Sequence, residues 1–262
     1  MILFSTYNRE LSFVPSPDKP WISHISELRA NPFRCNQPQN TIHHINSVLS
    51  EIDDLPLYTL CDGAGGAAVG FISPHKLTKI HEERNFSDIS PLLYISHPFR
   101  QHYTERGKSI LKVLAKSGYA HSDDPDDYML FHYLVGGRHS YTHAHNHDTA
   151  TALLLDGSKE WWLCPSTPHN ATHINDLFKT RIRMTITNPY ASFADWLSEN
   201  YEKASSIEDL FIIMQPPGTS LYIPYQWFHA VINHQLSRSI TLAWPYPNQT
   251  SPAHYEVNSS SN

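Results

Sequence analysis

Four histidines carry the strongest chemical signal in the sequence, three of them within Thr142–Asp148 and one far downstream at His229. His143, His145 and His147 occupy every second position of a stretch whose composition is typical of a β-strand. Because successive side chains on a strand point to opposite faces, this spacing predicts that all three project to one side. Neutral imidazole is the commonest protein ligand for zinc, copper and iron, and two rings at i and i+2 can reach one ion. The pattern indicates a metal site that takes its third ligand from elsewhere, although surface or hydrogen-bonded core histidines can share this spacing.

His229 is the candidate for that third ligand. It is a single histidine in an apolar stretch, between Phe228 and Ala230. A buried imidazole requires a polar partner, and a metal ion provides one. The stretch 228–233 is therefore expected to bring His229 towards the other histidines.

The composition is that of a globular protein, with 262 residues of which 40% are hydrophobic and 17% charged. A net charge of −6 lacks the basic footprint of a nucleic-acid-binding protein. The three cysteines form no CxxC pair, which disfavours a disulfide framework and favours a reducing compartment. The sequence has neither a signal-peptide pattern nor an apolar run of membrane length, so we expect a soluble cytoplasmic protein.

Short apolar stretches separated by turn residues dominate the second half of the chain and predict strands. They lie at 128–135, at the histidine segment, and at 149–155, 159–165, 181–187, 210–214, 220–224, 228–233 and 238–244. The dipeptide Asp156-Gly157 predicts a hairpin in which 159–165 pairs back on 149–155. A loop containing His169 and His173 is expected after 165, and a helix from Pro189 to about residue 203.

The first half of the chain differs in composition and in hydrophobic pattern. Residues 1–40 are rich in proline and predict an extended arm, while 41–52 and 98–118 show helical periodicity and 67–72 predicts a strand. The whole pattern predicts a mainly β fold, a barrel or double-sheet roll with flanking N-terminal helices. We expect an N-terminal arm and helical flank over 1–127, a barrel over 128–244 and a flexible tail over 245–262.

Three blocks in the second half occur in the order and at the spacing of a known family. They are Thr142-x-x-His145-x-His147, Gly157-x-Lys159-x-Trp161-x-Leu163-x-Pro165 and Tyr222-Ile223-Pro224-x-x-Trp227-Phe228-His229. Together they resemble the JmjC-like branch of the cupin oxygenases, which are Fe(II)- and 2-oxoglutarate-dependent enzymes built on a double-stranded β-helix. The resemblance covers roughly residues 128–244 and implies that fold and that chemistry.

The resemblance implies that the metal ligands are His145, His147 and His229. The family usually has a carboxylate where this chain has His147, so an anionic ligand is replaced by a neutral one. We expect a lower metal affinity, which falls further as the pH approaches about 6.5 because protonated rings cannot bind metal. Three neutral histidines also suit zinc, copper or the iron of thiol dioxygenases.

The register of the histidine segment depends on Thr142, which stands three residues before the first implied ligand. In this register His143 is a neighbour that lines the pocket, and Asp148 points away. A shifted register that uses His143 and His145 as ligands is the competing interpretation.

The resemblance also implies a co-substrate site. Lys159 matches the residue that pairs with the distal carboxylate of 2-oxoglutarate, and Thr142 matches its hydroxyl partner. A cation inside a barrel requires an anionic partner, since burying an unpaired charge is costly. The asparagines that often line this pocket are replaced by small residues, near Ala150 and at Ala243. Tyr133 is expected to supply a hydroxyl instead.

These sequence features are compatible with three alternative functions. The first is an Fe(II)/2-oxoglutarate-dependent hydroxylase that acts on a protein or peptide side chain or on a small molecule. The second is a three-histidine metal dioxygenase that does not use 2-oxoglutarate, and the third is a non-catalytic metal-binding cupin. Lys159 separates the first two, because only the first requires its charge for every substrate. The N-terminal arm and the helix from Pro189 are candidate contacts of a homodimer.

Overall fold

The computed structural model describes residues 3–5, 21–24, 42–43, 45–47, 55–59, 68–72, 76, 79, 93–98, 104–116, 119–120, 122–137, 141–174, 176–177, 200 and 202–244. The strands in this part of the chain are β1 (Leu3–Ser5), β2 (Trp21–His24), β3 (Leu55–Thr59), β4 (Ala68–Ile72), β5 (Leu93–Pro98), β6 (Leu130–Gly136), β7 (Tyr141–His145), β8 (Ala150–Asp156), β9 (Lys159–Cys164), β10 (Phe211–Gln215), β11 (Thr219–Ile223), β12 (Phe228–Asn233) and β13 (Ser237–Ala243). Helix α1 spans Thr104–Lys116, and a short 3-10 helix spans Pro125–Asp127. No helix among the described residues is long and apolar enough to cross a membrane.

The strands β6 to β13 form a double-stranded β-helix. Sheet A has the order β1-β10-β9-β12-β7, and sheet B has the order β2-β11-β8-β13-β6-β5-β3-β4. From β6 to β13 each strand lies in the opposite sheet from the one before it, except that β9 and β10 both belong to sheet A. This alternation winds the chain into a roll with two facing antiparallel sheets. The predicted fold class is confirmed.

The hairpin predicted at Asp156-Gly157 is wrong. Strand β8 pairs with β11 and β13 in sheet B, whereas β9 pairs with β10 and β12 in sheet A. The turn therefore carries the chain across the roll. A turn sequence specifies the local backbone angles and not the sheet that the next strand joins, so both outcomes are compatible with the same dipeptide.

The N-terminal half contributes strands that the sequence did not reveal. β1 pairs in parallel with β10, β2 pairs with β11, and β3, β4 and β5 extend sheet B beyond β6. Of these only β4 was predicted, and Pro98 ends a strand where helical periodicity suggested the start of a helix. The predicted strand at 181–187, most of the helix from Pro189 and the tail from 245 lie outside the described residues.

The segment 168–174, which was expected to be a loop, is helical. The Thr167 hydroxyl accepts a hydrogen bond from the backbone N–H of Asn170 (3.1 Å), and Pro168 occupies the first turn. A threonine cap followed by proline is a helix start, and this signal was present in the sequence.

Three apolar clusters fill the spaces around the two sheets. The inner cluster lies between them and consists of Ala150, Ala152, Trp161, Leu163, Ile213, Leu221, Ile223, Val231 and Ala243. The helix-side cluster packs sheet B against α1 and includes Phe131, Tyr133, Val135 and Leu111. A third cluster packs sheet A against the helical segments near Ile174 and Ala204. Alternation along β9 sends Trp161 to the inner cluster and Trp162 to the third.

Gly157 occupies a position that only glycine fits. Its φ is +87°, in the region that L-residues rarely adopt, and a Cβ atom there would lie 2.3 Å from the carbonyl oxygen of Leu236. The turn is therefore pressed against the connection between β12 and β13, and it sets where β9 begins.

We expect Gly157→Ala to lower the free energy of unfolding by about 3 kcal/mol or more, because it combines backbone strain with a backbone clash. Urea denaturation followed by circular dichroism measures this change. Ser158→Ala is the matched control at the next position and should change the free energy of unfolding by less than about 0.5 kcal/mol. Equal stability of Gly157→Ala and wild type would show that the turn can move away from Leu236.

Candidate metal centre

Three imidazoles meet on the inner side of sheet A. One ring nitrogen from each of His145, His147 and His229 lies within 4.8 Å of the others. The ring centroids are 4.1 Å apart for His145 and His229, 4.6 Å for His147 and His229, and 5.5 Å for His145 and His147. Among the described residues this is the one group of three or more histidine, cysteine or carboxylate side chains close enough to share an ion.

A register shift in β7 helps to bring the rings together. His145 pairs with His229, and Thr142 pairs with Val231, so three steps along β7 match two steps along β12. This β-bulge places Thr142 and His145 on the same side although they are an odd number of residues apart. His147 follows the end of β7 and approaches from the turn. Strict alternation, on which the prediction for His143 relied, is thus interrupted, and the side chain of His143 lies outside the described part.

Two of the rings are oriented by backbone carbonyl groups. The Nδ1–H of His147 donates to the carbonyl of Asp148 (2.6 Å), and the Nδ1–H of His229 donates to the carbonyl of Trp227 (3.1 Å). Because a carbonyl oxygen only accepts, each neutral ring carries its hydrogen on Nδ1 and keeps its lone pair on Nε2. Metal-binding histidines characteristically donate their other N–H in this way.

Burial keeps these rings in the state that binds metal. It lowers the pKa of His147, more than the adjacent backbone carbonyl and carboxylate of Asp148 raise it. Burial also lowers the pKa of His229 well below its usual value, with a further contribution from the neighbouring His145 and His147. Neutral imidazoles are the form in which histidine acts as a ligand, so the donor set fits a divalent transition metal.

His132 is a site neighbour that the sequence did not reveal. It lies on β6 of sheet B, where it pairs with Thr241, and it alternates with residues that face the helix-side cluster. Burial lowers its pKa to about 4, with a further contribution from His147. In the sequence His132 lies within a hydrophobic run, which gave no indication of a role at the site. Only the topology shows that β6 lies in the sheet opposite β7.

Lys159 is buried deep in the same inner space. Its side chain is 4% exposed, its Nζ donates to the Ser239 hydroxyl (2.6 Å), and it lies 5.9 Å from the ring of Trp161. No carboxylate in the described part of the chain lies within 4 Å of Nζ. Burial alone lowers the pKa of Lys159 from 10.5 to about 7.

Gln215 pairs with Lys159 across β10 and β9 and links the two sheets beside it. The Oε1 of Gln215 accepts from the Nε1–H of Trp161 (2.7 Å), and its Nε2 donates to the carbonyl groups of Ala152 (2.8 Å) and Thr219 (3.0 Å). Gln215 thereby connects β10 of sheet A to β8 of sheet B. The side-chain amide of Gln215 already has these three partners. The Lys159 ammonium donates instead to the Ser239 hydroxyl.

Two other predicted co-substrate contacts fall in different places. Thr142 is half-buried and pairs with Val231, a member of the inner cluster, so it faces the inner space. Tyr133 does not, and its prediction is wrong. It belongs to the helix-side cluster on the opposite face of β6, where burial raises its pKa. A strand in a two-sided sheet has two buried faces, and hydrophobicity alone does not tell them apart.

Hydrogen bonds join the turns that lie beside the rings. The backbone N–H of Gln226, at a φ of 57°, donates to the carbonyl of His147 (3.0 Å). The Nδ2 of Asn146 donates to the Ser166 hydroxyl (2.9 Å). His147 is thus held through its ring, by the carbonyl of Asp148, and through its own backbone carbonyl, by Gln226.

No protein-family model matches the chain, and no curated protein matches it. Among solved structures, the ribosomal oxygenase YcfD from Escherichia coli matches in complex with cobalt and succinic acid, at 10% identity and a TM-score of 0.42. Its complex with cobalt and 2-oxoglutarate matches at 11% identity and the same TM-score of 0.42. The former match covers 89% of this chain and 49% of that one, so this chain spans about half the length of YcfD. At this identity and TM-score the likeness identifies no function.

We expect the protein to bind one cobalt(II) ion at the three rings and His229→Ala to weaken binding by at least about 100-fold, since losing even an outer partner of a ligand costs about 10- to 100-fold. Absorption titration of metal-free protein with cobalt(II) measures the affinity. His132→Ala is the matched control, because it removes a neighbouring inner histidine outside the group of three. Equal losses in both variants would contradict a site made by His145, His147 and His229.

We also expect Lys159→Met to stabilise the protein by about 3 kcal/mol at pH 6, because a buried charge is replaced by an apolar side chain of similar length. Between pH 7 and 10.5 the unfolded chain binds more protons than the folded one, so the free energy of unfolding of wild type rises with pH in this window. Below pH 7 the lysine is charged in both states and the cost of burial is complete.

The difference in the free energy of unfolding between Lys159→Met and wild type should therefore be largest below pH 7 and should decrease towards pH 10.5. Urea denaturation at several pH values measures it. Lys112→Met, at an exposed position of α1, is the control and should show no such trend. A Lys159→Met variant less stable than wild type at pH 6 would mean that the ammonium has a counter-charge.

Proposed function

We propose that this chain is a non-haem metal-dependent oxygenase that uses Fe(II) and 2-oxoglutarate to hydroxylate a protein or peptide side chain or a small molecule. The observation that carries the proposal is the pairing of two features in one inner space. Three imidazoles, two of them kept neutral by burial, offer a metal site with open positions. A buried ammonium without a carboxylate partner among the described residues faces the same inner space. Each feature requires a ligand, and a single bifunctional ligand satisfies both.

The spacing of these features favours an elongated dianion. Lys159 lies four residues before Leu163, which pairs with His229 across β9 and β12. Four residues of a strand span about 13 Å, which the long lysine side chain partly bridges. A ligand that meets both ends must carry a metal-binding group at one end and a carboxylate at the other. 2-Oxoglutarate has this form.

The residues of the chain then have separate roles. His145, His147 and His229 would hold the metal, which supplies oxygen activation when bound. The Lys159 ammonium and the Ser239 hydroxyl would bind the far carboxylate, and Thr142 on the inner face would supply a further hydroxyl. Residues of the inner cluster exclude water from this space, which strengthens the interaction between ammonium and carboxylate. Orientation and exclusion of water are the contributions expected of a protein to cofactor chemistry.

A second candidate function is a three-histidine dioxygenase without 2-oxoglutarate. It is favoured by the donor set, because the group of side chains close enough to share an ion consists of three histidines and contains no carboxylate. Three neutral ligands leave the full charge of the ion, which suits direct binding of an anionic substrate and also admits zinc or copper. In this case Lys159 would pair with the substrate itself.

Succinate formation separates the two functions. With Fe(II), oxygen and 2-oxoglutarate, wild type should release succinate even without its hydroxylation substrate. Lys159→Met should bind 2-oxoglutarate at least about 30-fold more weakly, since removing one member of a buried ion pair costs at least about 2 kcal/mol. Anaerobic titration of the Fe(II) protein with 2-oxoglutarate, followed by its visible charge-transfer absorption, measures that affinity.

Lys112→Met is the control in this assay as well, because it removes an exposed lysine of α1. Binding of 2-oxoglutarate that is equal in Lys159→Met and wild type would contradict the proposed co-substrate site. Metal binding with no response to 2-oxoglutarate would favour the second function.

A further inference from the structure

Two further histidines lie outside the roll, on the helical segment 168–174 that follows β9. His169 and His173 are four residues apart, so they lie on the same face of the helix. Their ring centroids are 4.5 Å apart with an interplanar angle of 51°. His169 is exposed and His173 is half-buried. We propose that these two rings form a second metal site, which takes a divalent transition metal such as zinc and is independent of the proposed oxygenase function.

Ser206 orients both rings. The Nε2–H of His169 donates to the Ser206 carbonyl oxygen (2.8 Å). The Ser206 hydroxyl donates its own hydrogen to the carbonyl of Lys203 (2.7 Å), so its oxygen accepts from the Nδ1–H of His173 (3.4 Å). In the neutral rings the lone pairs are therefore on Nδ1 of His169 and Nε2 of His173. One residue thus assigns a donor atom to each ring.

The helix that carries the pair is held in place. Asn170 is fully buried, and its side-chain Nδ2 donates to the carbonyl groups of Pro165 (3.1 Å) and Glu208 (2.9 Å). Its Oδ1 accepts from the backbone N–H of Glu208 (3.0 Å). The helix and the segment that contains Ser206 are consequently joined between the two histidines. A metal ion finds this backbone already ordered, which lowers the entropy cost of binding.

The donor chemistry selects the class of ion. Two imidazoles at i and i+4 on a helix are a recurring half-site for zinc, and the exposed position lets water complete the coordination. Imidazole suits zinc, copper and nickel, whereas magnesium and calcium prefer oxygen ligands. A metal bound to one nitrogen also polarises the other N–H, which strengthens the hydrogen bonds to Ser206.

Zinc titration by calorimetry on the full chain tests the proposal. Relative to wild type, the double variant His169→Ala/His173→Ala should lose one zinc equivalent per chain, and it should keep the heat of any ion bound at the inner histidines. His43→Ala is the matched control, because it removes an exposed imidazole from another helical segment. Circular dichroism spectra of all variants should match that of wild type, since none of the substituted rings belongs to the buried core.

The same pair of measurements in a His229→Ala background keeps the two sites distinguishable. The double variant should lose one equivalent there too, whatever the fate of the inner site. An unchanged zinc stoichiometry in His169→Ala/His173→Ala, in either background, would overturn the proposal. An equal loss in His43→Ala would overturn it as well, since any exposed histidine would then bind zinc.

Discussion

The candidate site depends on one constraint, which is the burial of the Lys159 ammonium with no carboxylate of the described residues within 4 Å of it. Lys159 is the first residue of β9, and its position is set two residues earlier by the turn at Gly157. The neighbouring Asp156 accepts hydrogen bonds from the side chain and the backbone N–H of Arg238, which holds this corner of the roll to β13. A fold that retains such a charge spends stability on it, and binding of an anion recovers that stability.

The metal side of the inner space has the complementary property. Burial keeps the rings of His147 and His229 neutral, and their Nδ1 hydrogens are directed to backbone carbonyl groups. A divalent ion bound there would keep its full charge, which adds to that of Lys159 at the far end. The whole cavity is thus electropositive when metal is present, more so than a site with a carboxylate ligand. This excess favours a dianionic ligand, and it offsets the loss of metal affinity that follows from a neutral third ligand.

The strand pattern predicted a barrel or double-sheet roll and the approximate bounds of the strands β6 to β13, because apolar stretches and turn residues are local signals. It did not predict which strands pair. The Asp156-Gly157 turn has the residues of a hairpin, yet it crosses between sheets because β9 finds its partners in β10 and β12. Tyr133 and His132 show the same limit at single residues. They are neighbours on one strand, and only the packing of α1 on sheet B decides which of them faces the inner space.

The three histidines were selected for a reason that the structure only partly supports. Simple alternation would place His143, His145 and His147 on one face, but a β-bulge interrupts β7 and His147 lies beyond the end of the strand. The rings of His145 and His147 nevertheless meet His229, because the turn at His147 is held by the backbone N–H of Gln226. Imidazole donors at this place select divalent transition metals over magnesium and calcium, which prefer oxygen ligands.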